Sequence, residues 1–193
     1  MAFLIGVISQ KGGQGKDALT RGLAVEAARS GLAVEVVDMD VAQGSTFEWA
    51  QDRAGAGLKP DVPVRLTPTL DEALAGIAPT TDLVIVVGPA RADMTTLALA
   101  RQADLVVQPV GASLDDLRPA VRAFNALVAQ GVPASRLLMA LSRIGSPAEA
   151  TAARRYLESA GYQVAKGCVP EKVSYRTTQN AGGALGMSMA FGG

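Results

Sequence analysis

Two lysines and three glycines crowd into seven residues near the N-terminus, Lys11-Gly12-Gly13-Gln14-Gly15-Lys16-Asp17. Glycines let backbone N–H groups converge on an anion, and a lysine at the end of the loop supplies a point charge. An apolar run, Phe3–Ile8, precedes the loop, and a helix-like run, Ala18–Ser30, follows it. Strand, glycine loop and helix in that order form a phosphate-binding loop. Lys16 is expected on the phosphates, with Gly12, Gly13, Gln14, Gly15, Asp17 and Ala18 around them. One residue breaks the pattern. The position after the lysine ordinarily carries Ser or Thr, whose hydroxyl binds Mg²⁺, and here it is Asp17. The ligand class is a polyphosphate; the metal chemistry is in question.

Two more carboxylates, Asp38 and Asp40, leave the end of an apolar run two residues apart, so on a strand both point the same way. Phosphoryl transfer rests on positioning and charge, so carboxylates can serve it without histidine. The chain has no histidine at all, which excludes His triads, His metal sites and a histidine base. The lone cysteine, Cys168, rules out an internal disulfide framework and fits a reducing cytoplasm. No apolar run reaches the ~18–20 residues of a membrane span. Acidic and basic residues balance at 18 each, yet unevenly: residues 1–100 hold 8 basic and 12 acidic side chains, residues 101–193 hold 10 and 6.

Short β-branched runs alternate with longer Ala- and Leu-rich segments, and that alternation predicts a single doubly wound α/β domain spanning 1–193, with a mostly parallel sheet and helices on both faces. The expected strands are Phe3–Ile8, Ala33–Val37, Val64–Leu66, Leu83–Val87, Leu105–Val107, Leu137–Leu141 and Gln163–Ala165. The expected helices are Ala18–Ser30, Thr46–Ala54, Leu70–Ile77, Thr95–Gln102, Leu117–Gln130 and Ala148–Ala160. Gly31, Gly131 and Gly161 stand where a left-handed helix-terminating residue is expected. The glycine-rich tail, 182–193, reads as loose or cut short, with no final covering helix.

The motifs resemble those of a known family. Lys11-Gly12-Gly13-x-Gly15-Lys16 is similar to the deviant Walker A motif of the ParA/MinD ATPases, which are SIMIBI-type P-loop NTPases. Asp38-Met39-Asp40 followed by Gln43 resembles the family's Asp-x-Asp-Pro-Gln, with Val41-Ala42 where the proline would be. Pro109 with Ser113 and Asp116 resembles its Pro and Ser-x-x-Asp segment; Leu141-Ser142-Arg143, Val169-Pro170 and Tyr175 resemble the segments around the adenine. Short ParA proteins without an N-terminal DNA-binding extension are the nearest in pattern.

That resemblance implies ATP or ADP with Mg²⁺ as ligands, a nucleotide-sandwich homodimer and a catalytic set of Lys11, Lys16 and Asp40. Lys11 would reach the partner's phosphates, Asp40 would orient the attacking water, Asp38 and Asp17 would serve the metal, and Arg143 and Pro170 would flank the base. It further implies non-specific DNA binding through the basic C-terminal half (Arg136, Arg143, Arg154, Arg155, Lys166, Lys172, Arg176), a ParB-like or other cargo adaptor, no membrane targeting, and a cytoplasmic, nucleoid-associated place in a bacterium. The role implied is plasmid or chromosome partition, or cargo positioning.

The chain departs from the family a second time at Val87, which stands where the Walker B strand ends in a metal-binding Asp. Three outcomes stay open: Asp17 replaces both lost ligands; Asp17 repels the phosphates; or the protein keeps the fold and the dimer but no longer turns over. The alternative functions are a non-hydrolysing, nucleotide-responsive scaffold and an accessory ATPase of secretion, conjugation or polysaccharide assembly.

Overall fold

The computed structural model describes residues 2–10, 12–89 and 94–184. Seven strands, β1 (Phe3–Val7), β2 (Val34–Asp38), β3 (Val64–Leu66), β4 (Leu83–Val87), β5 (Leu105–Val110), β6 (Leu137–Ile144) and β7 (Gln163–Pro170), form one sheet in the order β3-β2-β4-β1-β5-β6-β7. Every pairing is parallel. The helices are α1 (Lys16–Arg29), α2 (Ser45–Gly55), α3 (Leu70–Ala75), α4 (Met94–Gln102), α5 (Leu114–Ala129), α6 (Pro147–Ser159) and α7 (Val173–Asn180).

Both faces of the sheet are covered, which is why its strands read as continuous apolar runs. On one face Val7, Val36, Ile85 and Val87 pack against Ala24 and Val25 of α1 and Trp49 of α2. On the other, Val84, Val86, Val106 and Leu141 meet Leu99 of α4, Phe124 of α5 and Leu157 of α6. Each fully buried Leu or Phe of this kind contributes about 1.5–3 kcal/mol. In a parallel sheet all C-terminal strand ends share one edge, and the loop after the central strand β1 opens there beside the loops after β2, β4 and β5.

Gly31, Gly131 and Gly161 do adopt left-handed φ values of 89°, 87° and 87° after α1, α5 and α6. Most boundaries shift by one or two residues, and three larger differences bear on the site. Strands β5 to β7 run on to Val110, Ile144 and Pro170. Pro109 is tolerated inside β5 because β1 pairs only with Leu105–Val107, so no β1 acceptor waits for its missing N–H. Helix α5 starts at Leu114, before the expected Leu117: the N–H groups of Asp116 and Leu117 bond the Ser113 carbonyl, and Asp115 and Asp116 suit a first turn.

The third difference is α7, for which the sequence shows no apolar stripe. Tertiary bonds hold its neighbourhood in place. Trp49 Nε1 donates to the Gly183 carbonyl at 2.8 Å, Arg53 donates to the Gly182 carbonyl at 3.1 Å, and Arg21 donates to Gln179 Oε1 at 3.0 Å. Gly182 and Gly183 of the expected loose tail are therefore tied down, and 185–193 lie outside the described residues. Among the described residues no helix is long and apolar enough to cross a membrane.

Candidate nucleotide site

The loop after β1 turns sharply to start α1. Gly13 and Gly15 take φ values of 76° and 89°, and Gly15 is the residue that precedes the helix. A Cβ built on Gly15 would lie 2.6 Å from Ser142 Oγ, so both the backbone conformation and the space demand glycine. We expect Gly15→Ala to weaken nucleotide binding more than about tenfold and to cost roughly 1–2 kcal/mol of stability, through left-handed strain and the clash. Adding Ser142→Ala relieves only the clash. Full recovery of binding in that double variant, measured by titration with a fluorescent nucleotide, would contradict the backbone argument.

Lys16 opens α1, is 9% exposed, and donates from Nζ to the Gly88 carbonyl at the end of β4 at 2.7 Å. Burial lowers its pKa, while Asp17, Asp40 and Asp38 pull it back up. Gln14 links the loop to the β5–α5 connection. Its Nε2 donates to Asp116 Oδ1 at 2.9 Å, its Oε1 accepts from the Gly111 N–H at 3.3 Å, and Ser113 Oγ donates to Asp116 Oδ2 at 2.8 Å.

Asp38 ends β2 and is 1% exposed. Its carboxylate accepts the N–H of Asp40 at 3.0 Å and of Thr46 at 3.2 Å. Burial pushes its pKa up, the two N–H groups pull it down, and Asp17 and Asp40 push it up again. Asp40 is half-buried and lines the cavity described below. The Oδ2 of Asp17 accepts the hydroxyl of Ser45, first residue of α2, at 2.5 Å. One turn further along α1, Arg21 donates to the Ser45 carbonyl at 2.6 Å. Val87 is 1% exposed and sits in register between Val7 and Asp38, its side chain on the face that packs against α1 and α2.

Arg143, at the end of β6, is a non-glycine residue with φ 58°, a strained conformation that bonding must hold. Its guanidinium donates to the Gly13 carbonyl at 3.1 Å and to Glu171 at 3.2 Å. It spans the mouth between the glycine loop and the end of β7. A cavity of about 440 Å³ opens there, lined by residues 12–18, Arg21, Asp40 and Gln43 on one side and by Ser142, Arg143 and Val169–Lys172 on the other. That volume suits a nucleotide-sized ligand.

These residues bring together Gly12, Gly13, Gln14, Gly15, Lys16, Asp17, Ala18, Asp40, Arg143 and Pro170 around one cavity. Asp38 lies behind it. Lys11 and the side chains of Tyr175 and Arg176 lie outside the described residues. Three members of the basic set are spent locally: Arg143 on the loop, Lys172 in the cavity wall, and Arg154 on the carbonyls of Val164, Ala165 and Lys166. Sequence reasoning missed Arg21, Ser45 and Gln179, while Gln43 of the Asp-x-Asp-Pro-Gln resemblance does line the cavity. Only Arg21 carried a readable signal, its spacing four residues after Asp17 on a helix.

The CobQ/CobB/MinD/ParA nucleotide binding domain matches residues 5–183, nearly the whole chain. The protein belongs to that ParA/MinD nucleotide-binding family. No curated protein matches the chain significantly. Among solved structures, MinD of Pyrococcus horikoshii with Mg-ADP superposes with a TM-score of 0.73 at 17% identity, covering 95% of this chain and 87% of that one. A Cyanothece McdA variant complexed with ATP gives 0.70 at 17%, covering 95% and 89%. A ParA family ATPase from Chlorobium tepidum gives 0.66 at 18%, covering 94% and 89%. At such identities these likenesses establish the P-loop fold.

For a ParA-like chain the donor set for Mg²⁺ is thin. Asp17 is engaged with Ser45, Asp38 with two backbone N–H groups, and the Walker B position is the buried Val87. Neither the hydroxyl that ordinarily follows the lysine nor the carboxylate that ordinarily ends the Walker B strand is present, so the residues do not offer Mg²⁺ its usual protein ligands.

Proposed function

We propose that the chain is a ParA-like ATP-binding switch of low turnover, working as a homodimer in partition or cargo positioning. The observation that carries this is the cavity at the C-terminal edge of the sheet, where the glycine loop, Lys16 and Arg143 converge within a ParA/MinD domain. ATP or ADP would lie with its phosphates on residues 12–18 and its base toward Arg143 and Pro170. Asp40 would orient water. Support for dimerisation comes from apolar side chains exposed at the same edge: Val41 at 48%, Leu66 at 39%, Met94 at 78% and Leu114 at 48%. They surround the loop from which Lys11 would reach a partner's phosphates.

Non-specific DNA binding rests on a smaller set than the sequence suggests, the exposed Arg136, Arg155 and Lys166. It would be electrostatic and steeply salt-dependent. A ParB-like adaptor would trigger release. A non-hydrolysing scaffold is favoured by one specific observation, the burial of Val87 where a metal-binding carboxylate would stand.

An ATPase assay with DNA and candidate partner present separates the two. Retained ATP binding with no turnover under any condition sinks the motor and leaves the scaffold. Lys11→Ala should leave monomer nucleotide binding within about threefold of the parent while weakening ATP-dependent dimerisation at least about tenfold. Analytical ultracentrifugation with ATP reads this, and an unaffected dimer would contradict the role across the interface.

A further inference from the structure

Two cations stand in the cavity wall from inside the fold. One is Lys16. The other is Arg21, which is 9% exposed and lies four residues after Asp17 on α1. Its guanidinium has neutral acceptors, the Ser45 carbonyl and Gln179 Oε1, and lies 5.6 Å from the Trp49 ring centroid. Its Nε is buried without an acceptor. Among the described residues no carboxylate forms an ion pair with it. Asp17 and Asp38 act on it from further away. A buried guanidinium without an ion-pair partner is costly, and a place in the wall of an open, polyanion-sized cavity is where an anionic ligand would offset that cost.

The carboxylates that should hold a divalent cation are depleted at the same place. Val87 supplies none, and the Asp17 carboxylate accepts the Ser45 hydroxyl, whose backbone carbonyl in turn holds Arg21. Asp17, Ser45 and Arg21 thus form one connected unit between α1 and α2. A free Asp17 would repel a phosphate; an Asp17 beside a fixed guanidinium does so far less.

Building on the nucleotide-binding reading above, we propose that this chain binds its nucleotide without a divalent cation, Arg21 offsetting Asp17 and supplying, with Lys16, the positive charge toward the phosphates. A guanidinium suits the task because it is always charged and presents several donors in a rigid plane.

The test is titration of the full chain with a fluorescent ATP analogue in excess EDTA and again in millimolar Mg²⁺. Affinities within about threefold of each other are expected; a gain of about tenfold or more with Mg²⁺ overturns the proposal and leaves nucleotide binding standing. No binding under either condition overturns both. Arg21→Gln should weaken binding in EDTA about tenfold and Arg21→Lys much less, with folding checked by circular dichroism. Unchanged affinity in folded Arg21→Gln also overturns the proposal. The wild-type comparison decides on its own if that variant does not fold.

Discussion

Exchanging Asp17 for Thr and Val87 for Asp together makes nucleotide binding Mg²⁺-dependent, with an affinity gain on adding Mg²⁺ of at least about tenfold, ~1.4 kcal/mol. The register explains why two changes are needed. Val87 is paired with Asp38 and with Val7 in a parallel sheet, so all three side chains leave the same face. An Asp at 87 lands beside Asp38, one strand away, and a Thr at 17 returns a hydroxyl at the head of α1. The same geometry makes Val87→Asp alone expensive. Its side chain is 1% exposed, within the cluster that α1 and α2 cover. A carboxylate there should cost about 2–4 kcal/mol and lower the melting temperature by roughly 5–15 °C. Mg²⁺ with nucleotide should recover part of that loss. Calorimetric titration of the double variant with and without Mg²⁺ checks the first claim; a Mg²⁺ response no larger than the parent's would refute it. Thermal unfolding of the single variant checks the second.

Replacing Lys16 by Ala reduces nucleotide affinity about 100-fold or more, ~2.7 kcal/mol. The ammonium is held near the end of β4 by the Gly88 carbonyl at 2.7 Å and would have to leave that acceptor to reach a phosphate. It must also be charged, and burial lowers its pKa from the ordinary lysine value. Affinity of the parent should therefore fall as pH rises through that lowered value, earlier than an exposed lysine would predict, and Lys16→Met should lack this fall. The stability sign is opposite. With the folded pKa below the unfolded one, the unfolded chain binds more protons between the two values. The penalty for burying the charge is then present below the folded pKa and is relieved as pH rises through the window up to the unfolded value. Urea midpoints of the unliganded protein should climb with alkaline pH more steeply in the parent than in Lys16→Met. Equal slopes would show that Lys16 is not the group responsible.

Much of the scaffold was readable in advance because its signals are local. Parallel strands buried on both faces must be apolar throughout, and Val64–Leu66 and Leu83–Val87 fall where expected. Left-handed helix ends need glycine, and Gly31, Gly131 and Gly161 supply it. The end of the chain was not readable because its stability is borrowed. The segment Val173–Asn180 is polar, and the residues around it are fixed by Trp49, Arg53 and Arg21, which lie more than a hundred residues away in sequence. The basic C-terminal half was only partly readable for a related reason. Counting arginines ignores where each guanidinium goes, and Arg154 goes to the carbonyls of β7 while Arg143 goes to the glycine loop.

By itself, the chain's order of residues pointed to the ligand class, since a glycine loop ending in a lysine between strand and helix suits a polyphosphate, and it exposed the double departure at Asp17 and Val87. Only the tertiary structure decided what those departures mean locally. Hydrogen bonds and burial join residues far apart in the chain: Asp17 meets Ser45, which meets Arg21, while Val87 is closed into the core beside Asp38. Type and spacing record which charges a site contains. Which of them face each other, and which are neutralised before a ligand arrives, is set by how α1 and α2 pack on the sheet.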